Sequence, residues 1–229
     1  MALNINGTTG ISGVDASVSA PALTGTDSNT GISFPSADTI KFSTGGVERI
    51  SITNSGISGT GISPGGLSMA QQWSISTSGG EYTISSSGDT DITSGWYIAN
   101  QAGAGSIGSS MTQSSGIFTF PSTGIYSIQF TAQLYTFNPG SAGTKFFIKI
   151  QTSTDSGSNY ITSTYNGGQI GNRSGSPNTN IVSTLLFDVT DTSTHKVKFS
   201  ANASQTSRLY TSPGDRIYTG IVFMKLGET

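Results

Sequence analysis

The chain is 229 residues long, with 33% hydrophobic residues and only 10% charged ones, against about 25% charged in typical soluble domains. A formal net charge of -2 provides no field that would draw a phosphate backbone, and the lack of cysteine rules out disulfides and thiolate-bound zinc. Nucleic-acid binding is thereby disfavoured, and the length allows one sandwich-sized domain with roughly 60 residues left over.

The polar residues are mostly Gly, Ser and Thr rather than Glu and Lys, which favours strands joined by Gly and Asx turns. No stretch approaches about 18 consecutive apolar residues, and Met1 to Asn6 lacks a basic region followed by a long apolar run. Neither membrane insertion nor secretion is expected.

Near the N-terminus, Gly-Ile-Ser recurs at Gly10-Ile11-Ser12, Gly31-Ile32-Ser33, Gly56-Ile57-Ser58 and Gly61-Ile62-Ser63, at intervals too irregular for a solenoid. The strongest local signal is the run from Asp38 to Ile52. Ile40 and Phe42 alternate with polar residues before Gly45-Gly46, and Ile50 and Ile52 do so after it, which predicts a hairpin. A lone hairpin with a narrow apolar face is marginal in water, so Ile40, Phe42, Ile50 and Ile52 are expected to form a shared trimer core. Ser63-Pro64-Gly65-Gly66 breaks any strand and sets the expected boundary between a β-rich region, 1–66, and a second domain, 67–229.

Downstream, Trp73, Trp96 and Tyr97 have rings that suit sugar faces, but burial tendency favours a core role. Asp89 and Asp91 share one loop, too few oxygens for a calcium site, and an Asx turn is the simpler reading. Strands of period two follow: Tyr126, Ile128, Phe130, Ala132 and Leu134; then Phe146, Ile148 and Ile150; then Val197, Phe199 and Ala201. Two denser apolar runs, Ile181 to Phe187 and Ile217 to Leu226, read as strands covered on both faces. Between the strands lie loops rich in Ser, Gly and Asn, such as Gln169 to Asn180. Tyr165, Asn172, Arg173, Arg208 and Tyr210 fall where strand periodicity is missing and are the candidate ligand-contacting loop residues.

Catalysis has little foothold. His195 is the single histidine and sits in the polar turn Asp191 to Lys196, with Asp188 and Asp191 as the nearest carboxylates in sequence. A general base needs a positioned partner and a cleft, and no nucleophile elbow opening a helix is present. The chain is read as not an enzyme, with no cofactor and no metal. Its fold class is all-β, a hairpin-rich trimeric attachment region followed by an antiparallel jelly-roll sandwich.

Two segments support the second half of that reading by resemblance. Gly116-Ile117-Phe118-Thr119-Phe120-Pro121-Ser122-Thr123-Gly124-Ile125-Tyr126 resembles the signature of the complement globular-head and tumour-necrosis-factor jelly-roll family, and Tyr218-Thr219-Gly220-Ile221-Val222-Phe223 resembles its last strand. The resemblance implies a homotrimer in which Tyr218, Ile221 and Phe223 belong to the core or the threefold contact. The stretch Gly25 to Pro35, followed by Gly45-Gly46-Val47-Glu48-Arg49, is similar to segments of tail-fibre-like and other virion proteins of bacteriophages, marine ones above all. Together these resemblances imply a homotrimeric phage virion protein, a short fibre or spike. Its N-terminal region would dock on other virion proteins and its head would meet a host surface glycan or protein. The alternative is a capsid decoration protein bound as trimers on the head shell.

Overall fold

The computed structural model describes residues 4–6, 10–12, 16–60, 67–99, 105–136, 143–171, 175, 177–211 and 217–229. Among these residues every helix-or-strand element is a strand, as expected. Contacts divide the chain into two units, Met1–Gly66 and Leu67–Thr229.

In the first unit β1 (Asn4–Asn6) pairs with β2 (Gly10–Ser12). An antiparallel sheet follows in the order β3 (Leu23–Thr24), β4 (Gly31–Ser33), β5 (Ile40–Thr44), β6 (Val47–Thr53) and β7 (Gly56–Ser58). The expected hairpin is β5–β6. Gly45 and Gly46 have φ of 60° and 74°, the pair of left-handed residues that a two-residue type I′ turn needs to match the twist of its strands. Register pairs Ile40 with Ile52 and Phe42 with Ile50, so all four lie on one face.

The Gly-Ile-Ser echo now has a physical meaning. Copies at 10–12, 31–33 and 56–58 are the strands β2, β4 and β7, while Gly61-Ile62-Ser63 lies outside the described residues. Within the sheet Ile32 pairs with Phe42 and Ile57 with Ile52, so the echo adds an isoleucine to the apolar face and turns Ser33 to the other.

Burial in this sheet runs opposite to a self-sufficient one. Ser33 is fully buried, and Ser43 and Ser51 nearly so, while Ile57 is 58% exposed and Leu23 and Ile40 are exposed as well. Phe42, Ile50 and Ile52 are half-buried.

The second unit contains β8 (Met69–Ile75), β9 (Glu81–Ile84), β10 (Thr90–Asp91), β11 (Trp96–Ile98), β12 (Thr112–Ser114), β13 (Ile117–Thr119) and β14 (Gly124–Tyr135). It continues with β15 (Thr144–Ser153), β16 (Ile161–Ile170), β17 (Asn178–Val189), β18 (Lys196–Ala203), β19 (Ser207–Tyr210) and β20 (Gly220–Gly227). One antiparallel sheet runs β12-β13-β18-β15-β16, with β10 also on β18. The other runs β11-β8-β20-β14-β19-β9, and β17 pairs with β14 along its whole length, from Gly124 opposite Val189 to Tyr135 opposite Asn178. The chain crosses between the sheets at β9–β10, β10–β11, β11–β12, β13–β14, β14–β15, β16–β17, β17–β18 and β18–β19, which makes the unit a jelly-roll-like sandwich.

Its core follows the period-two reading. Tyr126, Ile128, Phe130, Ala132 and Leu134 of β14 face Phe146, Ile148 and Ile150 of β15 and Val197, Phe199 and Ala201 of β18, all buried. Phe118 sits at the centre, its ring edge-on to Trp73 at 5.2 Å, to Trp96 at 5.4 Å and to Phe199 at 5.6 Å. Edge-to-face contacts suit the ring quadrupole.

Two motif glycines are required by this packing. Gly116 has φ of 79°, and a Cβ there would lie 2.2 Å from the Ile92 carbonyl oxygen. A Cβ on Gly220 would lie 2.5 Å from the Trp73 carbonyl oxygen, so β20 could not approach β8 as it does.

The last strands of the two sheets, β16 and β17, lie side by side and are joined by side chains. Asn166 Nδ2 donates to the Val182 carbonyl at 2.9 Å, and Ser183 Oγ donates to Thr164 Oγ1 at 2.6 Å.

Candidate functional site

Strand alternation gives the seven-stranded sheet a second face, turned away from the sandwich core. Along it, register aligns Leu186, Ser127, Met224 and Ala70 in one row and Thr184, Gln129, Val222 and Gln72 in the next. Val182, Thr131 and Gly220 make the third. Leu186 is 64% exposed and Val182 47%, with Met224 and Val222 half-buried between the polar residues. A depression of about 180 Å³ opens here, lined in part by Gln72, Gln129, Val222, Ile217 and Tyr218. Small side chains and scattered large apolar ones on a sheet provide little that reacts, and much that another surface can cover.

Where β9 and β19 extend this sheet, its character changes. Tyr135 pairs with Arg208, and Tyr210 with Glu81. The rings of Tyr135 and Tyr210 stack at 4.1 Å between centroids and 22° between planes, and Tyr218 lies 5.7 Å from Tyr210 at 45°. Among the described residues, Tyr210, Tyr218, Gln133, Asn178, Thr211 and Gly80 line a cavity of about 430 Å³. Gln133 Nε2 donates to Asn178 Oδ1 at 3.3 Å, fixing the two amides beside the rings.

The residues singled out from sequence fall in several places. Ile221 and Phe223 are buried in the core of their own sandwich, and it is the neighbouring Val222 and Met224 that reach the outward face. Tyr218 is half-buried between the depression and the cavity. Asn172 and Arg173 lie outside the described residues.

Three residues expected in loops are on strands instead. Tyr165 is within β16, stacked on Phe147 at 4.7 Å and 9°, with Lys149 Nζ 5.0 Å from its ring centre. Arg208 and Tyr210 are on β19, where Arg208 Nη1 donates to Thr83 Oγ1 at 2.8 Å and Nε lies 3.3 Å from Glu81 Oε2. The loop read at Gln169 to Asn180 is shorter than expected, because β16 runs to Ile170 and β17 starts at Asn178. In each case cross-strand pairing decides the conformation where the sequence lacks alternation.

In the single chain the dense runs are covered on one face. Ile181 is buried and Leu185 and Phe187 pack on the core, but Val182 and Leu186 between them are exposed. That density was the one available signal for the outward face. Gln133 and Asn178, beside it, gave none.

The other candidates serve the scaffold. Trp73 Nε1 donates to Gln71 Oε1 at 3.0 Å and Trp96 Nε1 to the Ile92 carbonyl at 2.8 Å, and both rings are buried. Tyr97 is half-buried. Asp89 pairs with Lys149 at 2.5 Å and Asp91 with Lys198 at 2.8 Å, so each carboxylate already faces a cation.

Asp191 forms an Asx turn, accepting from Ser193 Oγ at 2.7 Å and Ser193 N at 2.8 Å, bonds that hold its carboxyl below the usual range. His195 is buried against Phe187, with Thr190 Oγ1 3.3 Å from Nε2 and Thr194 Oγ1 3.0 Å from Nδ1, while Asp188 is exposed on β17. Threonine hydroxyls on both ring nitrogens fix the imidazole as part of the turn.

The fold therefore defines an all-β protein with a jelly-roll-like second unit. No protein-family model matches the sequence, and no curated protein matches it. Among solved structures the chain is similar to an Eiger TNF from S. frugiperda, at 12% identity and a TM-score of 0.49, covering 70% of this chain and 93% of that one. It is similar to murine APRIL at 12% identity and a TM-score of 0.47, covering 69% and 98%. A third likeness is to the PRD1 vertex protein P5, at 20% identity and a TM-score of 0.41, covering 71% and 100%.

Proposed function

We propose that this chain is a non-enzymatic structural protein of a phage particle that assembles as a homotrimer. The N-terminal unit docks on other virion proteins, and the jelly-roll head meets molecules of the host surface. The observation that carries the reading is the outward face of the seven-stranded sheet, where Leu186 and Val182 stand exposed on β17 and Val222 and Met224 lie half-buried on β20, across Ser127, Gln129 and Thr131 of β14. Exposed apolar side chains on a regular strand mark a surface that is covered in the working state. The sequence resemblance to jelly-roll homotrimers supplies the number three. The apolar face of the N-terminal sheet supports assembly independently.

The test is the native mass of the purified full chain over a dilution series. A mass of three chains that resists dilution is expected, and Leu186→Lys, at a position exposed in the single chain, is expected to give one chain with an unchanged far-ultraviolet spectrum. A wild-type protein of one chain at every concentration would overturn the assembly reading.

A further inference from the structure

We infer that the cavity lined by Tyr210 and Tyr218 binds a saccharide, one pyranose ring lying against the tyrosine surface with its hydroxyls on Gln133, Asn178 and Thr211. The inference rests on the proposed host-contacting role of the head and names the class of ligand. At about 430 Å³ the cavity falls within the range of about 300–1,000 Å³ typical of small-molecule sites.

Its lining decides the chemistry. Two tyrosines offer flat apolar faces, and two amides and a hydroxyl offer both donors and acceptors within one small volume. A pyranose has the matching character, with one face of C–H bonds and a rim of hydroxyls. A purely apolar ligand would leave the amides facing carbon, at the cost of their solvation.

The site is also held in place before any ligand arrives. Tyr135, itself buried, stacks on Tyr210, Tyr218 lies 5.7 Å from Tyr210, and the Gln133 amide donates to Asn178. Side chains whose rotamers are fixed by packing lose little freedom on binding.

The experiment is a titration of the full wild-type chain with methyl glycosides of glucose, galactose, mannose and N-acetylglucosamine, followed by saturation-transfer NMR. At least one should bind saturably. Tyr210→Ala is expected to weaken binding by about tenfold or more, Tyr210→Phe to keep it, and Tyr165→Ala, on the other sheet, to leave it unchanged. Should Tyr210→Ala fail to fold, Asn178→Ala is the deciding variant, with the same expected loss.

Absence of saturable binding by all four glycosides would overturn the inference. So would binding that Tyr210→Ala and Asn178→Ala leave intact, or binding lost in Tyr165→Ala instead. Native mass measured on the same samples separates the two readings: a three-chain protein that binds no sugar sinks this site alone, and a one-chain protein that binds sugar sinks only the assembly.

Discussion

The two units use the same period-two strands and reach opposite results. In the second unit each sheet turns its apolar side towards the other, and Phe118, Phe130, Phe199 and Phe223 are fully buried between them. In the first unit the described sheet has apolar residues on one face and serines on the other, and it is the serines that are buried. A sheet with one covering layer can hide only one face. The sandwich therefore hides its apolar side by itself, while the described N-terminal sheet leaves Ile40 and Ile57 exposed.

That contrast can be tested from its strong side first. Phe118→Ala removes the ring on which Trp73, Trp96, Phe199 and Phe223 converge. It is expected to destabilise the sandwich by roughly 3–5 kcal/mol in chemical denaturation, while hydrogen exchange in β5 and β6 stays as in the wild type. Equal loosening of β5 and β6 would show that the units unfold as one.

Ile52→Asp probes the weak side. It places a charge on the half-buried apolar face beside Ile40 and Ile57. If another copy covers this face, the protection of β5 and β6 becomes dependent on concentration, losing about 1.5–3 kcal/mol per protomer for the buried side chain. The melting temperature of the sandwich should not move. Wild-type protection of β5 and β6 at all concentrations would mean that the first unit is self-sufficient.

The smallest effect lies in the hairpin between β15 and β16. The Asp155 carboxyl is held down to about 2 by the Ser153 hydroxyl, then by the Asn159 backbone N–H and side-chain amide. A depressed carboxylate stabilises the fold above its ordinary pKa of 3.8, and that contribution is lost as the pH falls towards about 2. Asp155→Asn should thus melt slightly lower than wild type at neutral pH, and the gap should close between those two values. A gap constant with pH would exclude the charged form as its source.

The sequence was most legible where one face of a strand is buried and the other wet. β14, β15 and β18 alternate cleanly for that reason, and the β5–β6 hairpin could be read from its two glycines. β16 was hidden, because Ile161-Thr162-Ser163-Thr164-Tyr165-Asn166-Gly167-Gly168 has no alternation and is set by its partner β15. The candidate site was legible only in part. Tyr210 and Tyr218 were noticed for other reasons, but Gln133 and Asn178 join them only through the pairing of β14 with β17, a contact between residues 45 apart. Gln71 is a similar case. Its amide bonds Trp73, Ser110 and the Met111 N–H inside the core, a role no local pattern announces.

The stitching of β16 to β17 bears on how such a protein survives crowding. An open strand edge is a template on which further strands can add without limit, and the product is an insoluble fibril. Here the Asn166 amide occupies the Val182 carbonyl and Ser183 holds Thr164, so two raw edges partly close on each other. Less edge is left on which such a ribbon could grow.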